Sequence, residues 1–170
     1  MKTLISSIVG VGLLCPTIAN ARIDSGTPHL IRTAENLGIT VAYNPHTCRP
    51  GIGGTFTPAK KLVSLCYEGS PDAGDHDTVR HEMFHVVQFC ASVYRGHNTL
   101  YPIISDSHRL KTWVHSVLPP RTISHVHTSY NRDMWPVELE AFAAARKYTA
   151  REIAKLMVDW CDHSPTSVDN

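Results

Sequence analysis

The chain is short of charge. Asp, Glu, Lys and Arg make up 18% of its 170 residues, and 16 basic residues nearly balance 15 acidic ones, leaving a formal net charge of +1. With no basic excess to neutralise phosphates, a nucleic acid or an anionic membrane is excluded as an expected partner. Gly/Ser-rich and Pro-rich tracts are also missing, which excludes a long linker or a disordered region. The N-terminal apolar run, Leu4 to Leu14, is too short to cross a bilayer. Lys2 precedes it, and Pro16 and Ala19-Asn20-Ala21 follow. That is the layout of a signal peptide, residues 1–21, cleaved near Ala21 to give a secreted or periplasmic product without a stable membrane anchor. Leu14 stands where a lipid-anchor site before Cys15 needs a small residue.

Residues 22–170 then form one domain, long enough to bury a sizeable core. Of five cysteines, four remain: Cys48, Cys66, Cys90 and Cys161. In an exported chain this implies two disulfides, with three possible connectivities. The pairs favoured are Cys48–Cys66, tying a turn-rich segment to a strand, and Cys90–Cys161.

Histidine, by contrast, is plentiful, with 11 residues. Two stand in His81-Glu82-Met83-Phe84-His85, an HExxH pattern. Four residues apart on a helix, the two imidazoles share one face and can reach one metal ion, while Glu82 projects beside them as a general base for a metal-bound water. Met83, Val86, Val87 and Cys90 supply the apolar face of that helix, which runs to about Tyr94, with Asp77 or Thr78 as its cap. His76, with Asp75 and Asp77, is read as loop and cap polarity rather than as a second metal site.

Around the motif, Gly26–Leu37 is expected as a helix capped by Thr27, with Pro28 in its first turn and Gly38 at its end. Ile39–Tyr43, Thr55–Thr57 and Lys61–Tyr67 read as strands, the last two joined through Pro58-Ala59. The second half is helical: Asp106–Val117, then Arg121–Tyr130, then Val137–Trp160, broken by the capping box Thr149-x-x-Glu152. That break lets the chain turn back. On one straight helix Cys161 would lie roughly 30 Å beyond Glu140, out of reach of Cys90.

Two histidines leave a catalytic zinc site one ligand short. The metzincin continuation HExxHxxGxxH is absent, because Gln88 and Ala91 occupy its glycine and histidine positions. Downstream glutamates are Glu138, Glu140 and Glu152. The segment Glu140-Ala141-Phe142-Ala143, together with HExxH, resembles the gluzincin metallopeptidases, in which a downstream helix supplies a glutamate. The resemblance covers two short motifs, about a tenth of the chain. It implies an α+β, zincin-like fold, with a small antiparallel or mixed sheet packed on the motif helix and a helical C-terminal half. It also implies one Zn2+ held by His81, His85 and Glu140, with Glu138 in reserve and Asp133, His125 or His127 as further possibilities, and Glu82 as base. Tyr130, His127 or His125 would stabilise the oxyanion, Tyr130 first among them. The activity implied is hydrolysis of peptide or protein substrates, with a catalytically silent zinc-binding module or a hydrolase of non-peptide amides as alternatives. An edge position for Lys61–Tyr67 would offer an extended peptide a strand to pair with.

Overall fold

The computed structural model describes residues 24–46, 48–67, 69 and 71–162; the segment expected as a signal peptide lies outside them. Among these residues there are six α-helices and a three-stranded mixed sheet, an α+β arrangement. Helix α1 (Thr27–Asn36) holds a proline in its first turn and buries Leu30 and Ala34; Gly38, at φ 78°, makes the left-handed exit. Thr27 does not cap it. Gly26 takes that position, and the Thr27 hydroxyl meets His76 Nδ1 at 2.7 Å in the interior.

Strands β1 (Thr40–Tyr43), β2 (Gly54–Thr57) and β3 (Leu62–Leu65) follow, with a 3-10 turn over Pro58–Lys60 between β2 and β3. The order is β1-β3-β2, with β1 parallel and β2 antiparallel to β3. The strand expected within Lys61–Tyr67 is therefore central, and β2 forms an edge. The reason is legible in its burial: Val63, Ser64 and Leu65 are all covered, the behaviour of a strand with neighbours on both sides and packing on both faces. The Cys48–Cys66 disulfide, with Cα atoms 5.6 Å apart, ties the segment before β2 to the end of β3.

Helix α2 (Ala73–Tyr94) carries the HExxH motif through the middle of the molecule. It starts a turn before the expected caps. Asp72 accepts from the Gly74 and Asp75 amides, and Asp75 accepts from the Asp72 amide, so the capping box closes there. Asp77 pairs instead with Arg80, whose Nη1 also reaches Asp24 at 3.2 Å. Every residue from Val79 to Gln88 is buried. A helix covered on all sides carries its polar residues into the interior, where each must find a partner.

Helices α3 (Ser107–Val117), α4 (Pro120–Ser129), α5 (Trp135–Lys147) and α6 (Ala150–Cys161) complete the chain. The Thr149/Glu152 capping box separates α5 from α6 as expected. The return brings Cys161 to Cys90 with Cα atoms 5.0 Å apart. The core joins Leu30, Val63, Leu65, Val79, Met83, Val86, Val87, Ile153 and Met157, so α2 is clamped between the sheet, α1 and α6. None of the helices among the described residues is long and apolar enough to cross a membrane.

Candidate metal centre

One turn of α2 separates His81 from His85, and their Nε2 atoms lie 3.1 Å apart with the rings edge to face. Facing them from the first turn of α5 is Glu138, not Glu140. Its Oε2 is 3.2 Å from His81 Nε2, and its Oε1 is 3.6 Å from His85 Nε2. One donor atom from each of His81, His85 and Glu138 falls within 4.8 Å of the others, and all three residues are buried. Glu138 Oε2 and His81 Nδ1 have no hydrogen-bond partner among the described residues, so the 3.2 Å approach is a close contact rather than an aligned hydrogen bond. Two imidazole nitrogens and a carboxylate oxygen converging in this way fit a three-ligand metal site, and an orphaned buried carboxylate oxygen is what such a site leaves when drawn without its ion.

The expected ligand Glu140 lies elsewhere. Two positions along a helix amount to about 200° of rotation, so Glu138 and Glu140 cannot reach the same side chains. Glu140, 1% exposed, accepts from the backbone amides of Ile103 (2.7 Å) and Ile104 (2.8 Å) and from Gln88 Nε2 (2.8 Å). Gln88 also donates to the Val137 carbonyl at 3.0 Å. Both hydrogens of its amide being committed, its Oε1 must be the acceptor 2.7 Å from His85 Nδ1. His85 is thereby held with Nδ1 protonated, and the neutral ring turns its Nε2 lone pair toward the cluster. Gln88, noted in the sequence only for not being glycine, was recoverable as a hydrogen-bonding residue one turn from His85.

Glu82 is 6% exposed, and burial raises its carboxyl above the usual 4.5, against the lowering influence of His81 and His85. The Phe56 amide in β2 also contacts it. The strand can come this close because of Gly54: a Cβ there would stand 2.7 Å from Glu82 Cγ and 3.1 Å from the Ser64 carbonyl. Read from sequence, Gly53-Gly54 signals only a turn. Burial alone would raise Glu138 as well, but the two imidazoles, His81 first, hold it down at about 2. For His85 burial works downward, and Glu138, Glu82 and Gln88 together outweigh it, raising the ring above 6.5.

The cluster opens on a cleft with two lobes, of about 410 and 440 Å3, which share Ile52, Gly54, His81, Glu82, His125 and Tyr130. Tyr130 ends α4, half-buried and within hydrogen-bonding reach of Glu138; burial and the charges of Glu138 and Glu82 drive its phenol well up, so it stays protonated. His125 is at the cleft but exposed. His127 points elsewhere and lies against Trp135, ring centroids 4.3 Å apart. The structure thus places His81, Glu82, His85 and Tyr130 at one cleft, sets Glu138 rather than Glu140 beside the two histidines, and leaves Asp133 and His127 outside. No protein-family model, curated protein or solved structure matches the chain, and the residues themselves are the basis for interpreting the site.

Proposed function

We propose that the protein is a secreted zinc-dependent peptidase of HExxH-plus-glutamate type, with His81, His85 and Glu138 as ligands and Glu82 as general base. The observation that carries this is the placement of a buried Glu82 beside a His/His/Glu cluster in an open cleft. A zinc ion held there would supply Lewis acidity and lower the pKa of a bound water toward neutrality. Glu82, its proton affinity raised by burial, is suited to take a proton from that water and pass it to the leaving amine. Tyr130, kept protonated, can donate to the developing oxyanion. The β2 edge bordering the cleft can pair with an extended substrate backbone. A silent zinc-binding module has no use for a buried carboxylate at Glu82, and the zincin-like expectation is supported by the sheet edge lying against the motif helix.

The test is digestion of an unfolded-protein or peptide library by the zinc-loaded, disulfide-intact chain and by Glu82→Gln. The wild type should cleave it. Glu82→Gln should retain zinc and lose about 10²–10⁴-fold in kcat/KM, the usual contribution of a positioned base. A wild type that cleaves nothing, or a variant that cleaves equally well, would sink the peptidase reading.

A second expectation concerns pH. In the metal-free protein the His85 pKa is raised, so its stabilising contribution is fully present below about 6.5 and is lost as pH rises through the folded value. Glu82, also raised, acts with the same sign. With chelator, Tm should therefore rise as pH falls from about 8 to about 6. With excess zinc the trend should reverse, because protons compete for the ligand nitrogens. Parallel slopes in the two scans would contradict the assignment of this cluster as the zinc site.

A further inference from the structure

The two lobes of the cleft differ in charge. The lobe reaching Leu100 and Met134 is lined by no lysine or arginine, whereas the lobe on the other side of Glu82 is lined by Arg121 and Arg146. These come from different helices, α4 and α5, and neither has a carboxylate partner among the described residues. Of the two acids lining that lobe, Glu82 is shared with the other lobe, and Asp77 is engaged by Arg80, a buried side chain also tied to Asp24 and to the Ala145 carbonyl. Helix stabilisation accounts for Arg146, in the last turn of α5, but not for Arg121. A cation in the first turn of a helix works against the helix dipole, and Arg121 sits in the first turn of α4.

We propose that Arg121 and Arg146 form a carboxylate-binding subsite, so that the enzyme prefers substrates carrying a carboxylate on that side of the scissile bond; this rests on the peptidase reading above. Guanidinium groups match carboxylates with paired, charge-assisted hydrogen bonds, and two of them at one lobe can bracket a single anion. The carboxylate can be an Asp or Glu side chain or the free C-terminus of a peptide, which present the same chemistry at different chain positions.

The probes are tripeptide hydroxamates, one series with the chelating group at the amino end and one at the carboxyl end, titrated calorimetrically into the zinc-loaded full chain. Each series contains a Glu member and its Gln isostere, both without a free terminal carboxylate. The amino-end series adds a Gln member with a free C-terminus. In the wild type a carboxylate member should bind about ten-fold or more tightly than its neutral counterpart. In the Arg121→Gln/Arg146→Gln double variant that ratio should fall to within about two-fold, with neutral members binding as before. Both arginines are exposed, and an unchanged Tm would verify that the variant folds. Preference for the Glu member identifies a side-chain site; preference confined to the free C-terminus identifies a terminal-carboxylate site. Hydroxamates that bind without a carboxylate preference, or a preference that survives the double substitution, would overturn the subsite and leave the peptidase reading intact. If no hydroxamate binds the zinc-loaded chain, both fall together.

Discussion

Glu138→Ala is expected to cost the chain its metal and leave its fold standing. Among the described residues His81, His85 and Glu138 are the group whose donor atoms meet, so removing the carboxylate leaves two imidazoles. Altering residues that merely orient ligands typically costs 10–100-fold in affinity, and loss of a ligand itself should exceed about 100-fold. The fold should survive because the partners left behind are histidines, which can shed a proton and need not remain as buried unpaired charges. Alanine also suits the helix interior, so Tm without metal should drop by only a few degrees, about 1 kcal/mol. Competition with a chromophoric zinc chelator gives the affinity, and a thermal melt in EDTA gives the stability. A Glu138→Ala protein that holds zinc as tightly as wild type would remove this residue from the site.

Why the sequence suggested the neighbouring glutamate is a question of how α5 rolls. Helical period alone puts Glu138 and Glu140 on different faces, but not which face meets α2. The burial pattern does not decide it: Glu140 lies among buried Val137, Ala141 and Ala144, and Glu138 lies as closely beside buried Ala141 and Ala145. A carboxylate among apolar neighbours needs donors close by, and for Glu140 the Gln88 amide and the Ile103–Ile104 backbone supply them. Glu138, also buried, lines the cleft. The signal in favour of Glu140 was a short motif resemblance, which carries no information about packing angle.

Local chemistry was legible wherever it was self-contained. The Thr149/Glu152 box, the glycine exit at Gly38 and the hairpin through Pro58 depend on residues a few positions apart, and all were readable. Both disulfides are the favoured pairs: Cys48–Cys66 ties a turn-rich segment to a strand, and Cys90–Cys161 comes within reach because the chain turns back at Thr149. What escaped were long-range choices: that Thr27 spends its hydroxyl on His76 rather than on a cap, that β1 adds beside β3 and makes it central, and that β2 reaches Glu82 through Gly54. Each depends on which surface of one element meets another, a property of the assembled core rather than of any window of sequence.

Glu140→Ala should produce the opposite phenotype to Glu138→Ala. It strips the acceptor from three buried or half-buried donors at once: the Gln88 side chain and the amides of Ile103 and Ile104. Each unsatisfied donor costs about 1–3 kcal/mol, and partial relaxation of the loop after α2 should hold the total to about 3–5 kcal/mol. For a domain of this size that is a Tm loss of about 10–15 °C, the same in EDTA as in zinc apart from the shift that zinc itself gives. Any metal effect should be secondary, through a loosened Gln88 that no longer holds the His85 ring, and of the 10–100-fold order seen for such orienting contacts. Glu140→Gln sharpens the distinction. It retains one acceptor oxygen but turns an NH2 group toward donors, so it should fall between alanine and wild type in stability while still binding zinc in its folded fraction. A melt and a chelator competition on the same samples separate the two roles: the Glu138 variant folded and metal-poor, the Glu140 variant metal-competent but unstable. If the two phenotypes were exchanged, with Glu140→Ala folded and unable to bind zinc, the helix would have to be rolled by about 200° and the ligand set reassigned.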